Sequence, residues 1–63
     1  MTTLLKEHRQ NDIAVSMEID KDGVYRVTVS KDIANGLAQT LYTQTYTNRA
    51  SAKRSFNANA KTI

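Results

Sequence analysis

Residues 13–20 read IAVSMEID, and after a Lys21-Asp22-Gly23 interruption residues 24–31 read VYRVTVSK. In the first stretch Ile13, Val15, Met17 and Ile19 alternate with Ala14, Ser16, Glu18 and Asp20. A strict period of two puts one set on each side of an extended chain, which makes a half-buried β-strand. In the second stretch Tyr25, Val27 and Val29 share one side, and Arg26, Thr28 and Ser30 share the other. Gly23 tolerates the positive φ of a tight reversal. The two strands are therefore expected to form an antiparallel hairpin with one dry and one wet face.

Toward the C-terminus, Asp32–Gly36 ends in Asn35-Gly36, a strong turn signal. Leu37–Thr47 follows as a third strand, rich in Thr and Tyr. Its alternation is broken: Leu37 and Leu41 have one parity, Tyr42 and Tyr46 the other. One extra residue flips every later side chain, so a bulge near Leu41 would reconcile them. Thr47 or Asn48 can cap a closing helix, because its side-chain oxygen accepts an unpaired backbone N–H. Ala50–Ala60 contains no Pro, Gly or β-branched residue, and Ala52, Phe56, Ala60 and Ile63 form one helical stripe. Residues 1–12 are weakly patterned and read as an N-terminal arm, with residues 13–63 as one domain. The expected class is α+β: a three-stranded antiparallel β-meander with one C-terminal α-helix on one face.

The chain has 63 residues and no cysteine, so disulfides and thiolate metal sites are excluded. A domain of this length has little core to stabilise it, which makes a homodimer an attractive arrangement. No apolar run in the first dozen residues suits a signal peptide and none is long enough for a membrane span, so a cytoplasmic setting is expected. Net charge is +3, but it is unevenly spread. Met1–Thr47 carries five Lys/Arg against six Asp/Glu, whereas Asn48–Ile63 carries Arg49, Lys53, Arg54 and Lys61 with no acid.

Catalytic chemistry finds no support. His8 is the only histidine, and Ser16, Ser30, Ser51 and Ser55 have no convincing base to activate them. Glu18–Gly23 superficially resembles the start of a calcium loop, but the twelfth loop position is Val29 where a bidentate acid is required. No cofactor or metal is expected. Two binding surfaces remain. The cations Arg49, Lys53, Arg54 and Lys61 on one short helix suit phosphates. A solvated helix face explains such charges equally simply, but here no acid is interleaved with them. On the wet side of the sheet, Arg26, Thr28 and Lys31, with Gln39 or Thr40 alongside, are candidates for reading base edges or phosphates. Glu18 shares that side and opposes a nucleic-acid backbone.

The stretches DGVYRVTVSKDIANG, LYTQTYTNRASAKRSF and NANA resemble two families. One is the three-strand-plus-helix DNA-binding domain of integrase arms and ethylene-response factors. The resemblance is carried by Gly23 and Tyr25, by Asn35-Gly36, and by Tyr46 ahead of Ala50 and Ala52. It implies a sheet that enters the major groove with Arg26, Thr28 and third-strand residues as contacts. This chain departs from that family in having Arg26 alone where several Arg and Trp are usual. The other is the YegP-type small domain of unknown function, similar at Asn35-Gly36, Tyr46-Thr47 and SAKRSFNANA, though without its helical Gly. The expected role is a non-catalytic DNA-binding module. The alternative is a small phage-type inhibitor or accessory protein that takes an acidic protein partner.

Overall fold

In the computed structural model, which describes residues 2–62, the alternating stretch is strand β2 (Ile13–Ile19), paired antiparallel with β3 (Tyr25–Ala34). Val15 lies opposite Val29 and Met17 opposite Val27, and all four are buried. Helix α1 (Arg49–Thr62) lays Ala52 and Phe56 over them, and Ile13, Tyr25, Tyr46 and Ala60 pack around the rim. Ile63, expected on the same helical stripe, lies outside the described residues. Each fully buried aliphatic side chain contributes about 1.5–3 kcal/mol, so this small cluster supplies most of the apolar stabilisation.

The connections follow local backbone chemistry. At the β2–β3 turn the Asp20 carboxylate accepts the backbone N–H groups of Asp22 at 2.8 Å and Val24 at 3.1 Å, and Gly23 takes φ +82°. Asn35 and Gly36, at φ +51° and +81°, join the paired residues Ala34 and Leu37. Two consecutive left-handed residues match the twist of the flanking strands, which is why Asn-Gly is favoured there.

Strand β4 (Leu37–Tyr46) contains the expected irregularity. Val29 pairs with Tyr42 and Ser30 with Thr40, so Leu41 is the extra residue. Beyond it Tyr42, Gln44 and Tyr46 turn to the helix side, and Thr43 and Thr45 to the open side.

The expectation of three strands, with an arm over residues 1–12, is corrected. Thr3–Gln10 is a further strand, β1, antiparallel to β2, and the sheet has four strands in the order β1-β2-β3-β4. As an edge strand it buries little, and a register shift at Leu5 destroys its alternation. On its inner side Lys6 replaces an apolar residue, with Nζ 5.1 Å from the centroid of the Phe56 ring. The alkyl stem covers apolar surface while the charged end meets the ring face. Helix α1 crosses β2, β3 and β4 and leaves the inner side of β1 largely uncovered.

Candidate nucleic-acid interface

Asn48 starts the helix: its Oδ1 accepts the N–H groups of Ala50 at 2.7 Å and Ser51 at 3.3 Å. From that cap, 3.6 residues per turn spread Arg49, Lys53, Lys61 and Arg54 over an arc of roughly 140°. All four are exposed. The opposite flank carries Ser51, Ser55, Ala58, Asn59 and Thr62, with no charge. Ser55 lies beside the Tyr42 hydroxyl of β4, so the uncharged flank looks toward β4. The cationic flank therefore looks toward β1, where Lys6 leans on Phe56.

The strands extend this asymmetry. Strand pairing puts Lys6 opposite Met17 and Lys31 opposite Ile13, both on the helix side. The strand acids take the other side: Glu7 is opposite Ser16, Glu18 is opposite Arg26, and Asp32 shares parity with Ser30. Asp12, Asp20 and Asp22 sit in turns. Among the described strand and helix residues the helix side thus holds Lys6, Lys31, Arg49, Lys53, Arg54 and Lys61, with no strand or helix carboxylate beside them. The ion pairs found among those residues, Arg9–Glu7 at 3.7 Å and Arg9–Asp32 at 2.8 Å, both lie on the open side.

The open side differs in kind. Arg26 and Thr28 lie there together, as expected, in a shallow polar depression with Glu18, Thr40, Thr43 and Thr45. The Thr28 and Thr43 hydroxyls are 3.3 Å apart. Lys31 is not with them. It has the parity of Val27 and Val29, and the register with Ile13 turns it to the helix side. Lys6 is the cation that sequence reasoning passed over, because its facing depends on β1 pairing with β2.

Tyr42 and Tyr46, whose facing the broken alternation left ambiguous, lie on the helix side. The Tyr42 hydroxyl donates to Gln44 Oε1, and the neighbouring Tyr46 hydroxyl raises the Tyr42 phenol above its ordinary value, with desolvation adding to the effect. The side chains so placed offer charge and hydrogen bonding. Among the described residues no cluster of His, Cys, Asp and Glu could hold a metal ion, and no helix is long and apolar enough to cross a membrane.

Fold and site together define a small α+β meander whose helix side is cationic and whose open sheet face is mixed in charge. Comparison with family models, with curated proteins and with solved structures finds no match for this chain.

Proposed function

We propose that this protein is a small non-catalytic binding module that holds nucleic acid against its helix side. The observation that carries this reading is the sorting of charge by layer: among the described strand and helix residues six cations lie on the helix side and every carboxylate lies on the other. Phosphates that replace the counterions of such a surface release them to solvent, and this favours binding most at low salt. The resemblance to integrase-arm domains points to the sheet instead, through Arg26 and Thr28. Glu7, Glu18 and Asp32 on that side weigh against it, so the helix is the favoured surface. Nucleic acid is an abundant polyanion in the cytoplasm, which is the setting this reading implies.

Titration of a short duplex at several salt concentrations tests the proposal. Lys53→Glu combined with Arg54→Glu weakens binding and lowers the salt slope by about one for each phosphate that is no longer neutralised. Arg26→Ala leaves both nearly unchanged. Absence of binding at low salt, or a loss confined to Arg26→Ala, defeats the helix-side reading.

One observation favours the second reading, an accessory protein with a protein partner. Ile33, Leu37 and Leu41 around the β3–β4 hairpin are 59%, 64% and 52% exposed. Exposed apolar side chains at one end of a small fold suit a protein surface better than a phosphate backbone. An acidic protein that competes with the duplex for the helix would support this reading. A duplex bound with no such competitor among acidic proteins tells against it.

A further inference from the structure

We infer that β4 is a self-association edge, through which two copies of this chain pair antiparallel into one continuous eight-stranded sheet. The two edges of the sheet differ in how they are protected. Natural edge strands discourage pairing with charged side chains, bulges or short length. Strand β1 carries three charged residues, Lys6, Glu7 and Arg9, among its eight. Strand β4 has ten residues and none of them is Lys, Arg, Asp, Glu or Pro. The uncharged run extends from Ile33 through Asn48. The bulge at Leu41 leaves Tyr42–Tyr46 as a regular edge whose outward N–H and C=O groups have no strand to receive them.

A second copy fits this edge better than a strand of strongly charged sequence. The helix flank that faces β4 is also uncharged, so this whole side of the molecule can approach its own image without repulsion, despite the net charge of +3. Antiparallel pairing about a two-fold axis normal to the sheet keeps both helices on the same face. The helix is centred near β2 and β3, so the two helix axes would lie roughly four strand spacings, ~19 Å, apart. That exceeds the packing distance of neighbouring helices, so the helices do not obstruct the pairing. The two cationic flanks point outward, away from the two-fold axis. The exposed Leu41 and Tyr42 side chains add apolar area beside the new ladder.

Sedimentation velocity of the full chain without nucleic acid tests this independently of the proposed function. The expected result is a species of twice the 7.1 kDa chain mass, with a fraction that rises with concentration. Thr43→Lys with Thr45→Lys sets like charges against each other across the two-fold axis and shifts the population to monomer. Both side chains are exposed on the open side, so circular dichroism stays that of the folded chain. Leu4→Lys with Gln10→Lys, on the β1 edge, leaves the dimer intact. The inference is overturned by a wild-type chain that is monomeric at every concentration. It is also overturned by a dimer that survives the β4 lysines, or by one that dissociates with the β1 lysines instead.

Discussion

Arg9 of β1 reaches across β2 to Asp32 of β3, with Nη1 2.8 Å from Oδ2. The residue between them on β2 is Ala14, opposite Arg9 in one ladder and Ser30 in the next. Ala14 is 8% exposed although it lies on the face without a helix. The ion pair is its roof. The same bridge ties β1 to the end of β3, where the Asp32 N–H also donates to the Asp12 carbonyl at 2.7 Å.

Both partners of that pair are about half exposed, so solvent screens the attraction. Asp32→Asn is expected to lower stability by no more than about 1 kcal/mol, measured by urea denaturation. The difference should fade at high salt. Arg9→Ala costs more, because it also uncovers Ala14. Equal losses that do not respond to salt would show that the charge is irrelevant.

Among the described residues Phe56 is the one large helical side chain in the core, 4% exposed above Val15, Met17, Val27 and Val29. Phe56→Ala is expected to cost about 3–5 kcal/mol, a large part of the stability available to so small a domain. Loss of amide dispersion in the NMR spectrum is the direct readout. Phe56→Leu, which keeps most of the volume, should remain folded.

Asn48 holds two N–H groups of the first helical turn. Asn48→Ala leaves them to solvent and should lower stability by about 1 kcal/mol, whereas Asn48→Asp should hold it. The comparison is made on denaturation midpoints. A matching loss in both variants would show that the amide group matters for some reason other than the cap.

The Tyr42 phenol has its pKa raised above the ordinary 10.0, first by the Tyr46 hydroxyl beside it and then by desolvation. A raised folded pKa means that the fold prefers the neutral phenol. That preference contributes fully below the unfolded value and is lost as pH climbs through the folded one. Stability should therefore fall in the alkaline range above pH 10, and fall less in Tyr42→Phe. Phenolate absorbance followed against pH checks the titration itself, and a Tyr42 that ionises below 10 contradicts the placement of Tyr46.

The central hairpin was legible because Ile13–Ile19 and Tyr25–Val29 alternate without a break, and because Gly23 and Asn35-Gly36 carry backbone preferences that no tertiary contact needs to enforce. The bulge near Leu41 was readable from a parity conflict, and residue type narrowed the helix cap to Thr47 or Asn48, of which Asn48 is the one that caps. Strand β1 was not legible. Its alternation is interrupted at Leu5, and the inward position at Lys6 is held by a cation that serves the core through its alkyl stem. For the candidate site, the helix cations were visible in the sequence, whereas the facing of Lys31 and the contribution of Lys6 were not.

The turns at Lys21-Asp22-Gly23 and Asn35-Gly36, the closing helix and the two core strands were legible in the chain alone, since each depends on spacing and backbone preference within a few residues, whereas the turn at Asn11-Asp12 was not. Strand pairing, in contrast, brings β1 into the sheet, turns Glu7, Glu18 and Asp32 to the open side with Arg9 and Arg26, and turns Lys6 and Lys31 to the helix side. The reason is physical: the facing of a charge depends on which strand lies beside it and in what register. That pairing comes from burying Val15, Met17, Val27, Val29 and Phe56 together, not from the charges themselves.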